Sequence, residues 1–342
     1  MSYPEIGLVL AVPGFVGSAL DPLVGVVGDT SRRRLLMVVG GLAFAASAAV
    51  TAAAGGFWLL LFALVLGNPA TGAFVSLAQA TLMDADPRQR VRNMARWTLA
   101  GSFGYVGGPL LLVVAVYVGV GWRGAIATLA VAALPLTFAA TRFPSPRRES
   151  APSLGRAVRD ALAAVRRREV LRLLLTLEAA DLLLDVFHGF LALYLVDAVG
   201  QTPSTAALGV AVWTGAGLVG DWLLLPVLRR TTGARVIRVT ALLSLVAYPA
   251  FLLAPGLGPK LVLLAALGLL NSGWYAIPKA WLYDELPDRS GAAVAVGGLG
   301  GIAGAAVPLL LGFLAGAAGI TATMWVLLLA PVALLALTSE RS

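Results

Sequence analysis

The chain has no cysteine, one histidine and two lysines among its 342 residues. Without cysteine there is no disulfide, no thiol nucleophile and no cysteine-ligated metal. A lone histidine, His188, excludes a histidine-rich zinc site. The two lysines, Lys260 and Lys279, lie outside any glycine-rich Gly-Lys-Ser/Thr loop, so this chain by itself is not expected to hydrolyse ATP. No metal and no cofactor is expected. Charge is also scarce: 12% of residues are charged, against roughly 25% in soluble domains.

What fills the chain instead is apolar. Hydrophobic residues make up 59% of it, and runs of about 20 recur from end to end. The pattern predicts an all-α polytopic membrane protein surrounded by a lipid bilayer. The short alternating strands of a β-barrel do not occur. The net charge of +8 does not point to nucleic acid, because the charges sit in short loops between apolar runs. The first apolar run continues into a span that ends in a charged loop, so it reads as structure rather than as a cleaved signal.

Eleven spans are predicted, at about 6–28, 35–54, 57–82, 97–119, 123–141, 170–196, 204–227, 236–254, 260–283, 292–315 and 319–338. All but three of the 25 Lys and Arg residues fall near 32–34, 88–96, 142–172 and 229–238, or at Arg289 and Arg341. Arg123 and Lys260 fall on the other side, and Lys279 lies within a span. The positive-inside rule then places the carboxyl terminus in the cytoplasm of a cell with this protein in its plasma or inner membrane. An odd number of spans puts Met1 outside.

A linker at 143–169, rich in Pro, Ser and Arg, separates residues 1–142 from residues 170–342. Its second part has the pattern of a surface amphipathic helix. The two halves echo each other. Gly25-Val-Val-Gly28-Asp29 matches Gly217-Leu-Val-Gly220-Asp221 at a spacing of 192. Asp84, Pro87, Gly101 and Gly104 match Asp284, Pro287, Gly301 and Gly304 at a spacing of 200. Parallel repeats of this kind mark a large class of secondary transporters. The second half has six spans and the first five. Shifted back by 192, the span at 170–196 falls almost wholly before Met1. Charge and repeat therefore both predict an absent first helix, through a late start of the reading frame or a truncated gene.

These residues carry a resemblance to the major facilitator superfamily of transporters. On the loop between its second and third helices, that family places a glycine, an aspartate four residues on, and a basic cluster. Here the stretch reads Gly25-Val-Val-Gly28-Asp29-Thr30-Ser31-Arg32-Arg33-Arg34. Gly25, Asp29, Arg33 and Arg34 match; Thr30 and Arg32 depart. The resemblance covers the chain apart from the first helix. It implies a fold of two parallel-repeat helical bundles with about eleven transmembrane helices, five and six, equivalent to family helices 2–6 and 7–12. It also implies a conformational latch at Gly25, Asp29, Arg33 and Arg34, with Asp221 at the repeat position. The arginines alone would also serve as topology signals. Two antiporter patterns of the family fit poorly. Asn68-Pro-Ala-Thr71-Gly72 lacks the arginine and glutamine of the fourth-helix motif, and Gly101-Ser-Phe-Gly104-Tyr-Val-Gly107-Gly108-Pro109 matches the fifth-helix motif in part.

Ionisable residues inside a membrane are costly and point to function. The stretch LEAADLLLDVFHGF, 177–190, carries Glu178, Asp181, Asp185 and His188. At about 100° per residue they share one face about 80° wide and about 15 Å long. Closely spaced carboxylates repel when all are ionised, so the stripe suits proton binding. The resemblance implies that this helix, the family's seventh, lines a central cavity. The alternative is a structural network with Lys279 or Arg172. Asn271, Trp274, Tyr275 and Pro278 share a face of the span 260–283, with Lys279 close to it. They are candidates for substrate contact, or else aromatics that pack and a lysine that snorkels. Asn68, Thr71 and Gln79 share a face of the span 57–82 and are candidates for a second wall. Asp21, before Pro22, is a further substrate candidate whose repeat partner is Trp213.

Three functions stay open. The first is a secondary active transporter, working as a monomer, that moves a small-molecule solute by alternating access with protons. The second is a receptor or scaffold on the same fold that transports nothing, including an inactive truncated transporter. The third is an intramembrane enzyme, whose acid–base chemistry two carboxylates would have to supply.

Overall fold

The computed structural model describes residues 3–142, 154–286, 290–304 and 306–339. Every regular element among them is helical. Lipid offers no hydrogen bonds, so each apolar run satisfies its own amides by coiling. In chain order the helices are α1 (Tyr3–Gly28), α2 (Arg33–Ala53), α3 (Phe57–Ala85), α4 (Arg90–Tyr117), α5 (Gly121–Ala140) and α6 (Leu154–Val165). There follow α7 (Arg168–Ala198), α8 (Pro203–Val227), α9 (Gly233–Leu253), α10 (Leu257–Leu270) and α11 (Ala276–Glu285). The last are α12 (Ser290–Gly304), α13 (Ala306–Ala318) and α14 (Ile320–Thr338). Among the described residues eight helices are long and apolar enough to cross a membrane, and Val12–Gly28 and α10 are shorter apolar segments. The amphipathic part of the linker is α6; residues 143–153 of the linker lie outside the described residues.

The span expected at 260–283 is not one helix. It breaks at 271–275 between α10 and α11. Gly273 takes a φ of +87° there, a backbone state that suits glycine. Pro278 then removes a donor from the turn that follows. The first repeat loosens at the same point. Within α3, Gly72–Ser76 coils as a wider π-helix, and a shift of 200 carries that segment onto the break.

Contacts gather the chain into two compact units. The first holds Met1–Arg88, Gly107–Arg167 and Tyr283–Ala303; the second holds Gln89–Val106, Arg168–Leu282 and Gly304–Ser342. The grouping crosses the linker: the first part of α4 belongs to the second unit, and nearly all of α12 belongs to the first.

In the first unit α2 packs on α3 and α5 through small residues. Gly41 faces Thr137, and Ser47 donates to the Ala63 carbonyl at 2.7 Å. Between membrane helices lipid supplies no hydrophobic drive, so close approach of backbones carries the packing. A Cβ at Gly40 would stand 2.8 Å from the Ala73 Cβ and 2.9 Å from the Phe74 nitrogen. Gly40→Leu is therefore expected to cost about 1–3 kcal/mol through overpacking, read as a lower unfolding midpoint in detergent. Gly101→Ala, with nothing within 4 Å of its new Cβ, is expected to leave that midpoint unchanged or higher.

The second unit holds a buried lysine. Lys260 is 4% exposed. Its ammonium donates to the Tyr194 hydroxyl at 3.0 Å and to the carbonyls of Phe251 and Leu252 at 2.7 and 3.1 Å. All three donors are used. The charge sits at the carboxyl end of α9, where the helix dipole favours a cation. This lysine is structural.

Candidate solute and proton site

Helix α7 changes pitch in its middle. Leu182–Val186 forms a π-helix, a wider turn that recurs at functional sites. Asp185 lies in this segment, with Asp181 just before it and His188 just after. The Asn271 side chain, from the break after α10, donates through Nδ2 to the Leu183 carbonyl at 3.0 Å. The two irregular segments thus brace each other within the second unit.

Around them lies a cavity of about 420 Å³, inside the range of roughly 300–1,000 Å³ typical of small-ligand sites. Helix α7 lines it with Asp181, Asp185 and His188, α8 with Trp213 and Asp221, and the break with Asn271 and Tyr275. The first part of α4 adds Ser102 and Tyr105. Asp181 and Asp185 lie on neighbouring turns of α7 and both line the cavity. Two ionised carboxylates on neighbouring turns repel, and a proton on one of them relieves the repulsion. The His188 ring stacks on Trp213, with centroids 5.4 Å apart and planes at 29°, and meets the edge of Tyr105 at 6.4 Å. Asp221 accepts from the Ser102 hydroxyl at 2.5 Å. Two lining residues each carry a buried atom without a partner: Trp213 Nε1, a donor, and Asn271 Oδ1, an acceptor. Among the described residues no group of three or more His, Asp and Glu side chains is arranged to hold a metal ion.

The structure brings together Asp181, Asp185, His188, Asn271 and Tyr275. It does not bring in the rest. Glu178 packs against Gly304 and is not part of the cavity lining. Trp274 is fully buried, and its indole N–H donates to the Thr240 hydroxyl at 2.8 Å. Lys279 lies outside the lining, and Arg172 pairs with Glu169 at 2.7 Å. Asp21, Asn68, Thr71 and Gln79 belong to the first unit. There Asp21 borders Gly72 and Gly298, and Asn68 fills the space beside Gly17. Thr71 donates to the Gly67 carbonyl at 2.9 Å, and Gln79 accepts from the Tyr283 hydroxyl at 3.2 Å. Sequence reasoning did not pick out Ser102, Tyr105 or Trp213 as wall residues. The first two sit in the glycine run 101–109, which reads as packing, and the third surfaced only as the repeat partner of Asp21.

A second cluster occupies the first unit. Arg33 is 2% exposed. It pairs with Asp84 at 2.7 Å and with Asp29 at 3.5 Å, and its Nε donates to the Gly28 carbonyl. The Asp29 carboxylate in turn accepts from the amides of Gly291 and Ala292, at 2.7 and 3.2 Å. These are free donors at the start of α12, where the helix dipole favours an anion. Burial outweighs the lowering influence of these amides and of Arg33, and holds the Asp29 carboxyl above its ordinary value. A Cβ on Gly25 would collide with the Gly291 carbonyl, so this glycine permits the approach. Arg34 is exposed. At the repeat position of Asp29, Asp221 holds Ser102 in the second unit.

Comparison with known proteins agrees with this architecture. The family model described as Major Facilitator Superfamily matches residues 1–296. No curated protein matches the chain. Among solved structures, the E. coli fucose:proton symporter FucP superposes with a TM-score of 0.82 at 17% identity, over 99% of this chain and 91% of that one. A FucP structure in the outward conformation gives 0.81 at 16% identity, over 100% and 91%. The human organic anion transporter MFSD10 (TETRAN) gives 0.71 at 20% identity, over 98% and 82%.

Proposed function

We propose that this chain, which belongs to the Major Facilitator Superfamily and is a multi-pass membrane transporter, carries a small solute by alternating access. We propose further that protons are coupled to the solute through Asp181 and Asp185. The observation that carries this reading is the cavity, where two carboxyls from neighbouring turns of α7 line a solute-sized space. A carboxylate at a membrane helix centre costs roughly 2.5–3.5 kcal/mol on insertion scales. Structural carboxylates offset that by pairing with a cation, yet among the described residues no lysine or arginine lines this cavity. A proton is the counter-ion that remains. Solute that engages either carboxyl alters the proton's affinity, and by linkage the proton alters the solute's affinity to the same degree.

The Arg33 cluster supports the alternating part. Asp29 holds the start of α12 through two backbone amides, and such a contact is either made or broken. The proposed location is the plasma or inner membrane, and loop charge supports a carboxyl terminus in the cytoplasm. We propose a monomer as the working unit. Family and fold point to a transporter, not to an enzyme. The neighbours are named for a sugar with a proton and for organic anions, so the shared fold does not select the solute.

The test is reconstitution of the full chain in vesicles that enclose a pH-sensitive dye. Gradients of sugars, amino acids, organic anions and organic cations are imposed in turn. At least one class is expected to move the internal pH, with no such response in empty vesicles. Solute entry without a pH response would remove the coupling, and no entry of any class would favour a receptor.

A further inference from the structure

The amphipathic helix of the linker takes no part in the cavity. Helix α6 runs from Leu154 to Val165. At about 100° per residue, positions 154, 158, 161, 162 and 165 share one face about 100° wide, and the sequence fills them with Leu, Val, Ala, Leu and Val. Five arginines and one aspartate fall within residues 154–168. Arg159 and Arg166 stand beside the apolar face, and both are exposed. Arg167 is engaged within the first unit, by the Glu285 carboxylate at 3.8 Å and by the Glu285 carbonyl at 3.2 Å.

Helix α6 rests against α1, and that contact leaves Leu162 48% exposed. An exposed leucine alone names no partner. The arginines beside it and the place of the helix do. Helix α6 ends at Val165, and α7, long and apolar enough to cross a membrane, starts at Arg168. Three residues reach at most about 11 Å, so the end of α6 is tethered near the boundary of lipid and water. Loop charge puts that boundary on the cytoplasmic side, where the membrane surface carries anionic headgroups.

We infer that α6 docks on anionic phospholipid of the cytoplasmic leaflet, with Leu162 turned into the acyl boundary and Arg159 and Arg166 on headgroup phosphates. A basic amphipathic helix lies in the plane of the interface, and its long cationic side chains reach from the flank of the apolar face to the headgroups. Phosphate suits arginine, whose guanidinium fork bonds two oxygens at once. This surface is separate from the solute cavity, so lipid docking and solute transport stand or fall independently.

The chain has no cysteine, so a single one marks one position. Leu162→Cys and Ala163→Cys each take a polarity-sensitive dye; Ala163 is exposed and lies about 150° round from the middle of the apolar face. The full chain is placed in vesicles of phosphatidylcholine, or of an equal mixture with phosphatidylglycerol. In the mixture the dye at position 162 is expected to shift to the blue and to be quenched by bromine carried on the lipid tails. The dye at 163 is expected to report water in both. Each arginine near an anionic surface is worth about fivefold in the ratio of docked to free helix. Arg159→Gln with Arg166→Gln is therefore expected to lower that ratio roughly 25-fold, and added salt to lower it too. The comparison of the two lipids needs neither arginine substitution, so it decides by itself. Equal signals at 162 in both lipids would overturn the inference. A blue shift without quenching would do the same, since it would mean packing on protein. So would a response to RNA added to phosphatidylcholine vesicles with none to phosphatidylglycerol, which would make the occupant a soluble polyanion.

Discussion

Asp181→Asn is expected to reduce solute-driven proton movement to the background of empty vesicles, with the unfolding midpoint close to that of the parent. Asparagine has the same shape, so the wall of the cavity keeps its form. It cannot take up or release a proton. The variant therefore resembles the chain with Asp181 permanently protonated. Exchange of labelled solute between equal pools on the two sides should continue, because it needs no net proton transfer. Accumulation against a gradient should be lost. Glu178→Gln is the matching control, since Glu178 packs against Gly304 outside the cavity lining; it should keep the proton response. A full pH response in Asp181→Asn would place the coupling elsewhere.

The second large effect is expected at Arg33. Its guanidinium joins Asp29, Asp84 and the Gly28 carbonyl, and it is 2% exposed. Removing one member of a buried ionic network costs about 3–5 kcal/mol, mostly because its partners stay behind uncompensated. The side chains of Asp29 and Asp84 are 13% and 34% exposed, so water reaches one of them and the lower end applies. Arg33→Met should thus lose about 3 kcal/mol of stability, measured by denaturant unfolding in detergent. Arg33→Lys should recover only part, since an ammonium cannot hold two carboxylates and a carbonyl in the geometry of the fork. Arg34→Ala, at an exposed position next to it, should stay within about 0.5 kcal/mol. A loss below about 1 kcal/mol for Arg33→Met would mean that the cluster does not hold the first unit together.

Much of the fold was legible because the bilayer enforces it. An apolar run of the right length has to be a helix, and the span expected at 170–196 became α7 at Arg168–Ala198. The break at 271–275 was not legible. Its residues sit in an unbroken apolar run, and a lone asparagine and glycine are tolerated inside many helices. The grouping of α12 with the first unit depends on where the Asp29 carboxylate finds its donors, which no spacing along the chain encodes.

The site was legible in its charges and not in its walls. Intramembrane carboxylates are rare enough to stand out, so Asp181 and Asp185 were conspicuous. The even pitch used to place them holds for an α-helix, and the wider turn at Leu182–Val186 is invisible to it. Glu178 lies before that turn and meets Gly304 instead of the cavity. Tyr105 and Trp213 are aromatics in apolar spans, where most such residues simply pack. Only the structure shows that both flank His188. Trp274 stood out because it shares a helical face with Asn271 and Tyr275, and it lies instead among packed side chains.

The central claim is that Asp181 and Asp185 exchange a proton in step with solute. Its most direct test imposes a pH step across vesicles holding the full chain and follows a labelled solute drawn from whichever class moves the dye. The account predicts accumulation beyond the outside concentration for as long as the pH difference lasts, and none when it is collapsed. Entry that stops at equal concentrations with the pH step intact would contradict it.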